Sequence, residues 1–137
     1  MTIKKAQVST EFLVMNGILL TILLLFSAVI ISNINQLSVQ RENLIGKQAL
    51  DQIYTYGYTA YIQGDKAEVE ATIQFPSEYN LTFTSGNPSQ LVMTMPSGTQ
   101  LVKEFDYSIT FKQLPNQTGL VELEFKDKKG TVEVDVK

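Results

Sequence analysis

Hydrophobic and polar positions follow three patterns in succession along this chain. The first, Phe12 to Ile31, carries no charged side chain; Asn16, Thr21 and Ser27 interrupt it, and none is ionisable. A run of about 20 apolar residues is what a helix needs to cross the hydrocarbon core of a bilayer. The second, Ser32 to Gln63, contains no Pro and keeps a helical period. Ile34, Leu37, Leu44, Ile45, Ala49, Ile53, Tyr56 and Ala60 recur on one side, with Arg41, Glu42, Lys47, Gln48, Asp51 and Gln52 on the other. The third begins at Lys66, where the period drops to two.

These patterns predict one helix from near Ser9 to near Gln63, about 80 Å long at 1.5 Å per residue. It is bare and apolar in its first half and amphipathic in its second. Ser9 and Thr10 can cap its start, with Glu11 in the first turn, where the helix dipole favours an anion. Gly64-Asp65 is the expected stop. Asn33, Gly46 and Gly57 are the positions where such a helix could bend or break. Tyr54, Tyr58 and Tyr61, spaced i, i+4 and i+7, share a face and are expected to pack on the following sheet with hydroxyls at its rim.

In the third pattern Ala67, Val69, Ala71, Ile73 and Phe75 alternate with polar residues up to Pro76. Tyr79, Leu81 and Phe83 make a second strand, and Ser85 to Pro88 a turn. Gln90 to Met95 is a third strand, closed by Pro96-Ser97-Gly98. A fourth begins near Thr99 with a bend at Lys103-Glu104, and Tyr107, Ile109 and Phe111 give a fifth. After a loop from Leu114 to Gly119, Val121, Leu123 and Phe125 lead through the Asp127–Gly130 turn into Val132, Val134 and Val136, the clearest hairpin. The class is α+β: a long N-terminal helix, then a small antiparallel β-sheet or β-sandwich. The expected divisions are residues 1–6, a leader; 7–64, the helix, with 12–31 spanning a membrane; and 65–137, the β-domain.

Composition narrows the chemistry. The chain has 137 residues, enough for one modest domain with an appendage. It has no Cys, His or Trp, which removes a disulfide framework, a thiol nucleophile, the commonest metal ligand and the commonest general base. No catalytic or metal site is expected. Glu68 with Glu70, and Glu122 with Glu124, share strand faces as solvated pairs and not as opposed groups in a cleft. Asp127 to Gly130 lacks the oxygen ligands of a calcium loop. The net charge is −3, from 11 basic and 14 acidic residues, and an acidic chain is a poor partner for nucleic acid.

The residues before the apolar run change the picture. Lys4-Lys5-Ala6-Gln7-Val8-Ser9-Thr10-Glu11-Phe12 sets two lysines and a lone carboxylate at its entrance. A plain single-span anchor accounts for the lysines, with the amino end inside, but not for Gln7, Ser9 and Glu11. A secretory signal would have a shorter core and a small-residue cleavage site after it. The segment resembles the class III signal peptide of archaeal type IV pilin-like proteins, with its Gln-x-Ser-x-Glu-Phe motif. The resemblance covers about the first third of the chain. It implies cleavage between Ala6 and Gln7 by a membrane-embedded prepilin peptidase on the cytoplasmic side, within a motif made of Lys5, Gln7, Ser9, Glu11 and Phe12. It also makes Glu11 the fifth residue of the mature chain.

Cleavage would free an α-amine on Gln7, with a reference pKa near about 8. An unpaired carboxylate among packed apolar helices is costly. Pairing Glu11 with the amine of Gln7, in the same or a neighbouring subunit, cancels both charges and sets the axial register. Removing Lys4 and Lys5 leaves nine basic against 14 acidic residues, a net −5.

The function expected from the resemblance is structural: a pilin, the subunit of a surface filament for adhesion or attachment. Its partners would be copies of itself, the prepilin peptidase, the pilus assembly ATPase with its platform, and the membrane before assembly. The precursor would lie in the cell membrane with its C-terminal domain outside, and the mature chain in an extracellular filament. The alternatives are a minor pilin or pseudopilin, and a membrane-anchored extracellular binding domain that never polymerises. No cofactor is expected beyond N-linked glycans at two sequons, Asn80-Leu81-Thr82 and Asn116-Gln117-Thr118. Asn116 falls in a loop, and Asn80 on a polar strand face.

Overall fold

A computed structural model describes the backbone from Ile3 to Lys137 and the side chains from Thr10 onward. The chain is α+β: helix α1 (Ile3–Gln63), then β1 (Glu68–Phe75), β2 (Asn80–Thr84), β3 (Ser89–Thr94), β4 (Gln100–Phe105), β5 (Ser108–Phe111), β6 (Gly119–Lys128) and β7 (Thr131–Val136). Two compact units divide it, Met1–Ser38 and Val39–Lys137.

In the first unit α1 begins at Ile3 and not near Ser9, so Thr10 and Glu11 lie inside the helix and neither caps nor opens it. No Pro or Gly stands between Ile3 and Ser9, and Lys, Ala and Gln there favour a helix over a break. The large apolar side chains from Phe12 to Leu37 are exposed along the whole stretch.

In the second unit α1 ends as the sequence predicts. Gly64 adopts φ +83°, and its amide donates to the carbonyl of Ala60 at 3.3 Å. Ala49, Leu50, Ile53 and Ala60 are buried with the inward residues of both sheets. Gly46 and Gly57 lie within the unbroken helix and face close neighbours. A Cβ on Gly46 would come within 2.9 Å of Leu101 Cδ1 and Met93 Sδ, and one on Gly57 would run into the Tyr107 ring. The absent side chains let α1 approach the strands closely.

One sheet has the order β1-β6-β7-β5, and the other is the meander β2-β3-β4. All pairs are antiparallel except β5 with β7, which is parallel from Ser108↔Thr131 to Phe111↔Val134. The chain passes from the three-stranded sheet into the other through Asp106 and Tyr107, and β5 joins at the free edge of β7. The β6–β7 hairpin turns on Lys129 and Gly130, both at positive φ (56° and 83°), as a two-residue turn between right-twisted strands requires.

β4 runs through Lys103-Glu104 without the expected bend. Lys103 shares a face with Leu101 and Phe105. Its ammonium reaches Asp51 of α1 at 2.7 Å and lies 4.6 Å from the centre of the Tyr54 ring. The charge is thereby neutralised on an inward face without breaking the strand.

Candidate functional site

Three places on the chain gather features beyond packing. The first is the apolar stretch of α1. A helical window there has mean hydropathy 2.6 with no burial, which makes it long and apolar enough to cross a membrane and to anchor the chain there. Two of its polar side chains are already satisfied: Thr21 Oγ1 donates to the Gly17 carbonyl and Ser27 Oγ to the Leu23 carbonyl, each at 2.8 Å. Neither hydroxyl therefore asks for water or a neighbour. Glu11 and Phe12 are exposed at the near end of this stretch. The side chains of Lys5, Ala6, Gln7 and Ser9 lie outside the described residues, as does the proposed cut, so the pairing of Gln7 with Glu11 has no geometry here.

The second place joins the two sequons. Asn80 is exposed at the start of β2, and Asn116 is exposed in the loop before β6. Between them stands Tyr79, whose hydroxyl lies 3.2 Å from the Pro115 carbonyl and 2.6 Å from that of Gln117. Its ring stacks on Phe75 with centroids 5.2 Å apart. Burial pushes the phenol up to about 12, since the anion would lose water and face two carbonyl dipoles. Tyr79 thus ties the chain just before Asn80 to the loop that carries Asn116, and both asparagines are exposed.

The third is a tyrosine cluster at the C-terminal end of α1. Tyr54 lies against Phe105 and Tyr107, with centroids at 5.9 and 5.7 Å, and Tyr61 stacks on Tyr107 at 5.5 Å and 24°. The expected packing on the sheet holds for Tyr54, while Tyr58 and Tyr61 remain 40% and 41% exposed. The Tyr107 hydroxyl donates to the Tyr54 carbonyl at 3.0 Å, and that of Tyr54 to Asp106 Oδ1 at 2.9 Å. Tyr107 is raised well above the usual phenol range, first by burial and then by Tyr54 and Asp106; Tyr54 is raised chiefly by its bond to Asp106. Beside the cluster opens a cleft of about 370 Å³, lined by Tyr61, Asn87, Phe105, Asp106, Tyr107 and Ser108 among others.

The sequence reading missed this cleft. Asn87 was visible only as a turn residue and Tyr107 only as an alternating strand position. Nothing local sets either beside Tyr61.

The glutamate pairs on the four-stranded sheet sit among lysines. Glu68 and Glu124 both reach Lys126, at 3.3 and 3.0 Å, and Glu70 pairs with Lys137. Lys137 holds the Glu70 carboxyl below its ordinary value. Among the described residues no three acidic side chains gather as a metal ion would need. No protein-family model, curated protein or solved structure matches this chain.

Proposed function

We propose that the chain is a prepilin, the precursor of a structural subunit of an archaeal type IV pilus-like surface filament. The observation that carries this reading is a juxtaposition. A fully exposed, charge-free helix surface begins at Phe12, directly after Lys-Lys-Ala-Gln-Val-Ser-Thr-Glu, and the chain then continues into a compact unit of helix and strands. The resemblance of that flank to a class III signal peptide supplies the peptidase site between Ala6 and Gln7. An exposed apolar helix needs either lipid or copies of itself around it. In this reading it has first one and then the other.

Two features support the assignment of outside and inside. Lys4 and Lys5 precede the apolar run, as on a cytoplasmic flank. Both sequons stand outward on the β-unit beyond it, where N-linked glycans would be carried. The filament would serve adhesion or surface attachment, with its own copies, the prepilin peptidase and the assembly ATPase as partners.

Mass spectrometry of the mature amino terminus, on protein from the native host, tests the proposal. A terminus at Gln7 is the expected result. An intact Met1 or Thr2 terminus on the membrane-bound protein would leave a plain anchored domain in its place. A terminus at Gln7 with only trace amounts in purified filaments would move the chain to a minor pilin or pseudopilin.

A further inference from the structure

We infer that the cleft between Tyr61 and the Asp106–Ser108 segment is a binding site for a neutral saccharide. It lies wholly within the Val39–Lys137 unit, and the inference does not depend on polymerisation.

A pyranose presents an apolar face of C–H groups and a rim of hydroxyls that both donate and accept. The cleft offers the complement. One aromatic wall is Tyr61, which stays 41% exposed although its ring is held against Tyr107. The polar rim is the Asp106 carboxylate, the Asn87 amide and the Ser108 hydroxyl, groups that serve sugar hydroxyls in both senses. The volume, about 370 Å³, falls in the range of small-molecule sites, roughly 300–1,000 Å³.

The groups are fixed before any ligand arrives. Asp106 Oδ1 is held by the Tyr54 hydroxyl at 2.9 Å, yet Asp106 remains exposed. Ser108 Oγ pairs with Thr131 Oγ1 at 3.2 Å. The turn that carries Asn87 is tied by Ser89 Oγ donating to the Gly86 carbonyl at 3.0 Å. A site arranged in advance loses less conformational freedom on binding. Charge selects the ligand further. None of the lining side chains is cationic and one is a carboxylate, so an anionic sugar is repelled and a neutral one is not. The lining holds no pair of acidic groups, so the site binds and does not cleave.

The test uses the full-length chain in dodecylphosphocholine micelles, titrated with glucose, N-acetylglucosamine, cellobiose, chitobiose and, as the anionic probe, glucuronic acid. With no Trp in the chain, intrinsic fluorescence reports tyrosine alone, and saturation-transfer NMR reports which sugar protons meet aromatic rings. The expected result is saturable binding of at least one neutral probe with transfer to its C–H face. Tyr61→Ala should weaken it about tenfold, the scale of a lost aromatic contact, and Asp106→Ala about fivefold, the scale of a lost hydrogen bond. Glu122→Gln, on the other sheet, should leave it unchanged. Circular dichroism of each variant keeps folding apart from binding, and Asp106, being exposed, leaves the core intact. Absence of saturation by every neutral probe, equal binding by Tyr61→Ala and Asp106→Ala, or preference for glucuronic acid would each overturn the inference. Where binding holds, Asn80→Gln/Asn116→Gln protein from the native host separates the sources. Stronger binding of added sugar means that the chain's own glycan competes for the cleft, and unchanged binding means that the saccharide comes from outside.

Discussion

The hydroxyl of Tyr107 stands over Gly57, in the space where a side chain on that glycine would begin, and donates from there to the Tyr54 carbonyl at 3.0 Å. At this turn one atom of a side chain from beyond the helix limits how closely α1 can approach its neighbours.

Gly57→Ala is expected to destabilise the Val39–Lys137 unit by about 1–3 kcal/mol, the cost of overpacking. This is so even though Ala is the better helix former by about 1 kcal/mol. Gly46→Ala meets flexible side-chain atoms of Leu101, Met93 and Met95 and should cost less. Removing the hydroxyl in Gly57→Ala/Tyr107→Phe should recover part of the loss. Denaturant unfolding of the full-length chain in detergent measures all three, and equal stability of wild type and Gly57→Ala would refute the close approach.

Alkali should unfold the β-unit cooperatively above pH 10. Tyr79 is raised to about 12 and Tyr107 beyond that, from a reference of 10.0. A raised phenol pKa means that the folded state holds the proton more tightly. The stabilisation is complete below pH 10 and is lost as pH climbs from 10 toward the folded values. Phenolate absorbance followed against circular dichroism checks this. Of the six tyrosines, Tyr79 and Tyr107 should ionise only as the fold is lost. Early ionisation of all six in a folded chain would contradict the burial.

Tyr79→Phe leaves the ring on Phe75 and removes the donor to the carbonyls of Pro115 and Gln117. A stability loss of about 1 kcal/mol is expected, with faster hydrogen exchange confined to residues 116–118. Should exchange there stay unchanged, the hydroxyl would have no part in holding the loop around Asn116.

Glu11→Gln separates two accounts of that carboxylate. As a helix-dipole partner it is worth about 0.3–1 kcal/mol. As the partner of the Gln7 amine in an apolar filament core, its loss should cost about 3–5 kcal/mol at every subunit. The expected outcome is processed protein in the membrane by immunoblot with few or no filaments by electron microscopy, and an intermediate yield for Glu11→Asp. Normal filaments from Glu11→Gln would leave the residue without a part in registering one helix against the next.

Much of the fold was legible because its signals are local. Alternation from Ala67 to Phe75 and from Val121 to Phe125 gave strands where β1 and β6 stand, and Lys129-Gly130 marked the final hairpin. The helix stop at Gly64 needed only one residue's backbone freedom. What escaped was relational. A glycine in a helix looks the same whether it bends or admits a neighbour, so the close approach at Gly46 and Gly57 could not be read from the sequence. Alternation does not reveal which way the adjacent strand runs, so the parallel pairing of β5 with β7 was invisible. Capping residues at Ser9 and Thr10 suggested a start that the helix-forming Lys, Ala and Gln before them override. The cleft draws Tyr61, Asn87 and Asp106 from three separate segments, and no spacing rule connects them.

The inward-bonded hydroxyls of Thr21 and Ser27 make those two positions of the apolar helix indifferent to what surrounds them. Each oxygen closes a loop onto its own backbone one turn earlier. Exchanging lipid for protein on the outside neither breaks nor creates a hydrogen bond at either residue. At these two positions the choice between the two surroundings is thereby left to shape. A rotation about χ1 would turn the same hydroxyl outward to a neighbouring carbonyl, one bond exchanged for another. Neither position therefore needs water in order to satisfy its hydroxyl.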